Sequence, residues 1–212
     1  MLNVSNLNRI KTQMKDQTLI AVTKYVGDQE VKDLINEGIL DLGENRADVF
    51  LEKYLRFKDV SIRWHFIGHL QSNKVKKVIN HIDYLHSLDR MSLVDAIEKY
   101  RNEPLKCLIE VNISQESSKH GMNPENVIEF YQKVKKYDKI NVIGLMGMAS
   151  DTEDRNQIRQ QFEILCKLRD QIREIDDIDL KLSMGMSNDY LIAIEMNATY
   201  LRLGSILFKE DN

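Results

Sequence analysis

Short β-rich runs alternate with longer helical stretches from one end of this chain to the other, and that rhythm is the strongest constraint on its fold. The candidate strands are residues 18–24, 41–43, 63–68, 82–86, 106–113, 141–146, 180–185 and 200–204. The stretches between them read as amphipathic helices. In residues 154–174, Ile158, Phe162, Leu165, Leu168 and Ile172 recur at helical spacing. Asn123-Pro124-Glu125 reads as an N-cap with proline at the first helical position, ahead of Val127, Ile128 and Tyr131. Strands separated by helices pair in parallel through crossovers. Two architectures satisfy that rule, a (β/α)8 barrel and an open doubly wound sheet. Eight strands favour the barrel. A length of 212 residues gives about 26 per βα unit, near the lower size limit of that fold. No Pro/Ser/Gly-rich linker interrupts the rhythm, so the expectation is a single-domain (β/α)8 TIM barrel over residues 1–212.

The punctuation points to one rim of that barrel. Gly43, Gly68, Gly147, Gly185 and Gly204 fall at or just after the C-terminal ends of strands. Barrel enzymes build their sites there, and glycine lets backbone approach a ligand; ordinary turns needing positive φ are the alternative. Lys24 ends the first strand, directly after apolar residues 19–22. Walled by apolar groups at a barrel mouth, its ammonium would be desolvated, and the neutral amine would be available for a Schiff base. A surface lysine snorkelling at a strand end is the plainer reading. Ser187 and Ser205 each stand between a strand and a helix, where an N-cap is expected. In many barrels the loops after strands seven and eight hold phosphate on such helix starts; two ordinary serine caps would look the same.

Composition narrows the partners. With 33 acidic against 30 basic residues and a net charge of −3, a general nucleic-acid binder is not expected. No run reaches the roughly 20 apolar residues of a membrane helix, and residues 1–17 lack a signal-peptide core. A cytoplasmic protein without a membrane partner is the expectation. Cys107 and Cys166 do not make a disulfide framework and read as inert thiols. The pairs His65/His69 and His81/His86 lack the geometry and the further ligands of a metal site, so no metal is expected. Lys74, Lys76 and Lys77 read as a solvated helix face.

Taken together, five strings are specific: Ala21-Val22-Thr23-Lys24, Gly43-Glu44-Asn45, the run WHFIGHLQSNK from Trp64 to Lys74, the run SMGMSND from Ser183 to Asp189, and Arg202-Leu203-Gly204-Ser205. In this order they resemble the pyridoxal 5′-phosphate homeostasis protein family. These are small fold-type III proteins whose barrel is like the N-terminal domain of bacterial alanine racemase, and the resemblance spans essentially the whole chain. It implies that Lys24 carries pyridoxal 5′-phosphate as a Schiff base and that Ser187, Gly204 and Ser205 hold the phosphate. Arg202 would face the pyridine nitrogen, and Asn45 and His65 would line the pocket. A guanidinium stays protonated, so it donates to that nitrogen and leaves it unprotonated, a weaker electron sink than a ring paired with a carboxylate. The implied role is a non-catalytic carrier in intracellular vitamin B6 homeostasis, a monomer or weak dimer with pyridoxal-phosphate-dependent apo-enzymes as candidate clients.

The alternative is an amino-acid racemase with a barrel-only architecture. Such racemases resemble this chain only through the barrel and add a β-rich C-terminal domain, whereas this chain stops eight residues after Gly204. Two-base racemisation also needs an acid/base on each face of the substrate carbon, and the sequence names no second one. A Schiff-base aldolase acting on a sugar phosphate fits the chemistry but not the strings. Lys74, Lys76, Lys77 and Lys119 are weaker candidate aldehyde acceptors.

Overall fold

In the computed structural model, eight parallel strands close into a barrel in sequence order. They are β1 (Thr18–Val22), β2 (Asp41–Glu44), β3 (Arg63–Phe66), β4 (Tyr84–Leu88), β5 (Leu105–Val111), β6 (Ile140–Gly147), β7 (Lys181–Ser183) and β8 (Tyr200–Leu203). The barrel shuts where β8 pairs β1 in register from Thr18 opposite Tyr200 to Ala21 opposite Leu203. The structure describes residues 1–116 and 120–209; Lys119, a weaker candidate aldehyde acceptor, lies outside them. The architecture is the expected (β/α)8 barrel rather than the doubly wound sheet.

Helix α1 (Val4–Gln13) precedes the first strand, and α2 (Asp28–Asn36), α3 (Ala47–Arg56), α4 (Val75–Val78), α5 (Met91–Tyr100), α6 (Val127–Val134), α7 (Arg155–Asp176), α8 (Tyr190–Glu195) and α9 (Ser205–Phe208) follow the strands in turn. The longest is the easiest to derive. Asp154 caps α7 by accepting from the backbone N–H of Asn156 and Gln157, the full stripe from Ile158 to Ile172 is buried, and Asp177 ends it in the left-handed region at φ 51°. Asn123 also caps, but Pro124 first opens a 3-10 turn (Pro124–Asn126) and α6 starts only at Val127. Helices α1 and α9 have no sequence signal of comparable strength. A long-range bond joins their ends, from Asn3 N–H to the Leu207 carbonyl at 2.8 Å.

Several strand limits differ from those read in the sequence. The backbone turns after Thr23, so β1 stops at Val22 and leaves Lys24 in the turn; Val26 N–H closes it onto the Thr23 carbonyl at 3.2 Å. Strand β4 begins two residues later than expected, because Asp83 is tied to Trp64 by its side chain as well as its backbone. Because side chains alternate with period two, that shift leaves the same residues facing inward. Of the five rim glycines only Gly185 has positive φ, at 93°, so the others are not there for turn geometry.

The apolar core has two parts. The larger lies between strands and helices, where each fully buried aliphatic side chain contributes roughly 1.5–3 kcal/mol. The smaller lies inside the barrel and consists of Ile20, Leu108, Met146 and Tyr200. The interior above and beside it is polar: His65, His86, Ser183 and Arg202 are all buried there. Polar groups withdrawn from water must find partners, and that requirement organises the site. No described helix is long and apolar enough to cross a membrane.

Candidate functional site

The mouth of the barrel is built at the C-terminal ends of β1, β2, β3, β7 and β8. At β1 the structure corrects the expectation for Lys24. The residue lies on the exposed side of the turn after Thr23, with its ammonium 4.8 Å from the Tyr25 ring centroid. It is not desolvated by apolar walls. The turn itself is anchored from below. Lys53 of α3, buried, donates to the Thr23 carbonyl and pairs with Glu44 at 2.6 Å, and the Thr23 hydroxyl donates to the same carboxylate oxygen at 2.6 Å. Lys53 and Glu44 are 6% and 0% exposed in their side chains, so Lys53 is a paired structural cation, and Lys24 is the amine left open to a ligand. The sequence reading passed over Lys53.

Asn45 follows β2 directly. Gly68 explains why the β3 loop can pass so close to it: a Cβ on Gly68 would lie 2.2 Å from the Asn45 carbonyl oxygen, so only glycine fits. Beside them opens a cavity of about 450 Å³ lined by Asn45, Arg46, Phe66, His69, Gln71 and Lys74 among others. Of the predicted cofactor residues Asn45 lines it, while Lys24, His65, Ser187, Arg202, Gly204 and Ser205 do not.

The loops after β7 and β8 meet. Ser187 accepts a hydrogen bond from Ile206 N–H at 3.3 Å, joining the two. Its expected role as an N-cap is corrected: Asp189 holds the N-cap position of α8, and its carboxylate accepts from the Met186 N–H of the loop rather than from a helix N–H. Ser187 instead presents its hydroxyl between the loops. Gly204 is the N-cap of α9 and Ser205 its first residue, so Ser205 begins the helix as expected but does not cap it. Gly185 holds the β7 loop in shape, since a Cβ there would lie 2.6 Å from Ala193 Cβ. Ser187, Gly204 and Ser205 thus lie on two joined loops on one side of the mouth.

Below the mouth, His65 and Arg202 belong to one hydrogen-bonded file. Arg63 donates to Asp41, at 2.8 Å and 2.5 Å. Asp41 lies 2.9 Å from His65 Nε2, His65 Nδ1 lies 2.9 Å from His86 Nε2, and His86 Nδ1 lies 2.9 Å from Ser183 Oγ. Arg202 donates to Ser183 Oγ at 2.6 Å and to the Gly147 carbonyl at 3.0 Å. Tyr84 stacks on His65 with centroids 4.3 Å apart and planes 5° apart, and Tyr200 closes edge-on against both imidazoles. Burial lowers the pKa of His65 against the pull of Asp41, and lowers that of His86 further, so both are neutral. Burial resists ionisation of Asp41, yet hydrogen bonds from His65 and Arg63 outweigh it and bring its pKa down to about 2. Burial brings Arg202 down to about 10, still a cation at neutral pH. His65 is therefore one layer beneath the mouth, not on its surface.

Sequence reading did not find Asp41, His86 or Ser183 as partners of Arg202. The available signal was alternation: each is a polar residue at an inward position of a strand, and His65 and His86 lie on adjacent strands. Glu110 was also missed. It is buried on β5 two residues beyond inward Leu108, its Oε2 has no hydrogen-bond partner among the described residues, and burial together with the charge of Asp89 pushes its pKa up to about 7. Cys107 and Cys166 are free thiols whose pKa values burial raises, consistent with inert cysteines.

Comparison with known proteins agrees with this geometry. The family described as alanine racemase, N-terminal domain, matches residues 4–211. A pyridoxal phosphate homeostasis protein of Aquifex aeolicus is 39% identical over 196 residues, covering 91% of this chain and 86% of the relative. The PipY protein of Synechococcus elongatus PCC7942 has been solved without and with pyridoxal phosphate bound. Its structures superpose with TM-scores of 0.91 and 0.85 at 25% and 26% identity, over 97% of this chain and 99% of PipY. An alanine racemase of Clostridium difficile 630 shares the fold, with a TM-score of 0.82 at 16% identity over 98% of this chain and 56% of that one. The chain belongs to the alanine racemase N-terminal-domain family and, within it, to the pyridoxal phosphate homeostasis proteins.

Proposed function

We propose that this protein binds pyridoxal 5′-phosphate at the mouth of its barrel and acts in the cytoplasm as a carrier in vitamin B6 homeostasis, as a monomer or weak dimer. The observation that carries the reading is the setting of Arg202, a buried guanidinium two residues before Gly204 whose hydrogen-bond partners are a hydroxyl and a carbonyl. A cation with only neutral partners, close to an exposed lysine and two serine-bearing loops, fits a ligand with an electron-rich ring nitrogen, an aldehyde and a phosphate.

When bound, pyridoxal phosphate supplies an aldehyde that an amine captures reversibly and a ring that withdraws electrons. Lys24 supplies the amine, held by the turn that Lys53 and Glu44 anchor. Ser187, Ser205 and the backbone at Gly204 donate to the phosphate. Asn45 borders the ring side of the mouth. Arg202 donates to the ring nitrogen and mutes the ring as an electron sink, which suits holding the group more than turning over an amino acid. His65 acts through His86 and Ser183, without touching the ligand.

Loaded protein is expected to be yellow, with a visible absorption band that hydroxylamine bleaches. Lys24→Ala is expected to lose that band; a band that persists in the variant overturns the role of Lys24. Ser187→Ala combined with Ser205→Ala is expected to weaken binding by about 1.5–3 kcal/mol per lost charge-assisted bond. Racemisation is the second reading, motivated by the likeness to the barrel of an alanine racemase. Following the optical rotation of L-alanine with loaded protein separates the two: turnover on the order of 1–10³ per second would sink the carrier reading.

A further inference from the structure

The file beneath Arg202 has a direction that the chemistry dictates. Asp41 is ionised and can only accept, so His65 carries its proton on Nε2 and donates it there. A neutral His65 then accepts at Nδ1, so His86 carries its proton on Nε2 as well. A neutral His86 accepts at Nδ1, and its partner there is the Ser183 hydroxyl. Ser183, having donated, receives Arg202 Nη1–H. Arginine has no acceptor, but the Ser183 oxygen has two lone pairs and receives it whichever way the hydroxyl points, so the order is set from the Asp41 end alone. From Arg202 to Asp41 each group donates toward the N-terminal end of the barrel, where Arg63, with its side chain 53% exposed, brings the file to solvent.

This arrangement separates two charges that most buried pairs bring together. The hydrogen-bond partners of Arg202 are neutral, the carboxylates whose charge reaches it are those of Asp189 and Glu110, and the carboxylate in line with it is three neutral side chains away. A direct ion pair would consume the guanidinium; the file fixes its orientation and leaves its remaining N–H groups for the mouth. We propose that Asp41, His65, His86 and Ser183 are positioning residues that aim Arg202 at the ring nitrogen of the bound ligand, with Asp41 setting the direction of the whole file from the opposite end of the barrel. The assignment rests on the cofactor reading above for what Arg202 meets, but not for the file itself.

Two measurements on the full chain test it. In ligand-free protein labelled with ¹⁵N, long-range proton–nitrogen spectra are expected to show His65 and His86 both as neutral Nε2–H tautomers at pH 7.5. Asp41→Asn offers a donor or an acceptor in the same shape, so it removes the one-way constraint. The His86 tautomer, two links away, is then expected to shift toward Nδ1–H. A His86 ring that is an Nδ1–H tautomer in the unaltered protein, or one indifferent to Asp41→Asn, overturns the directed file. The second measurement compares affinities for pyridoxal phosphate and for its analogue with carbon in place of the ring nitrogen. The unaltered protein is expected to prefer the pyridine by roughly tenfold, one charge-assisted hydrogen bond. Ser183→Ala and Asp41→Asn are expected to shrink that preference toward unity while the carbon analogue binds as before, and Ser183→Thr to restore it. Equal weakening of both ligands, or an unchanged preference in both variants, overturns the positioning role. If the unaltered protein binds neither ligand, the cofactor reading fails and the positioning role falls with it, while the tautomers still judge the file.

Discussion

Two buried polar arrangements lie within a few residues of the mouth and solve the same problem in opposite ways. Under the Lys24 turn, Lys53 meets Glu44 directly, and Thr23 adds its hydroxyl to the same oxygen. Under Arg202, cation and carboxylate are kept apart by Ser183, His86 and His65. The direct pair balances its own charge and pins backbone, the Thr23 carbonyl included, so it works as a fastening. The relayed pair leaves a cation fixed in direction but not neutralised by contact, which under the proposed function makes it the binding group. Proximity of charges therefore separates structural from ligand-facing residues in this barrel better than burial does, because both sets are buried.

Breaking the direct pair is expected to have the largest effect. Glu44→Gln or Lys53→Met leaves an uncompensated buried charge and is expected to cost roughly 3–5 kcal/mol in denaturant unfolding, while the double change recovers much of that loss. A double variant no more stable than either single would remove the fastening from the account.

Acid is expected to strike the relayed file next. His65 and His86 have pKa values lowered in the folded protein, so the unfolded chain takes up protons first as pH falls. Their contribution is complete above the unfolded value of 6.5 and is lost as pH drops below it toward the folded values, by up to roughly 1.4 kcal/mol per pH unit for each ring. Asp41 belongs to a lower window: its contribution is present above the ordinary aspartate value of 3.8 and fades as pH falls toward about 2. Unfolding curves at pH 7.5, 6.0 and 5.0 check the first window in the Glu110→Gln variant, where the opposing titration of Glu110 is removed, and stability that rises from 7.5 to 5.0 there would contradict neutral rings. Ser183→Ala, which removes one link without removing a charge, is expected to cost roughly 1–3 kcal/mol at pH 7.5.

Glu110 gives the smallest and most selective test, because it belongs to neither arrangement. Its folded pKa is raised from 4.5 to about 7, so its protonated form favours the fold, and that contribution is lost as pH rises through 7. Glu110→Gln is neutral at every pH. It is expected to match the unaltered protein near pH 5 and to exceed it by on the order of 1 kcal/mol at pH 8. A constant difference across that range would mean that the unpartnered oxygen is not titrating.

How much of this the sequence disclosed follows from the range of each interaction. Strand order and α7 were legible because alternation and helical stripes are local, and the helix start at Gly204 and Ser205 was legible because it punctuates a strand end. Lys24 was found as a residue but misjudged in its setting, since the turn after Thr23 depends on Lys53, thirty positions away in sequence. Ser187 was misjudged as a cap because α8 starts only at Tyr190, which puts Asp189 at the cap position, and the Ser187 oxygen accepts instead from Ile206 N–H of the neighbouring loop. The partners of Arg202 were hidden because Ser183, His86 and Asp41 come from three strands, and only barrel closure brings them into line. The β1–β8 seam and the association of α1 with α9 are hidden for the same reason.

The central claim is that the mouth presents Lys24 to an aldehyde while Lys53 stays committed to Glu44. Full-length protein loaded with pyridoxal phosphate, reduced with borohydride, digested and mapped by peptide mass tests it most directly. The account predicts a single dominant label on Lys24; a dominant label on Lys53, on any lysine of residues 74–77 or on Lys119 would contradict it.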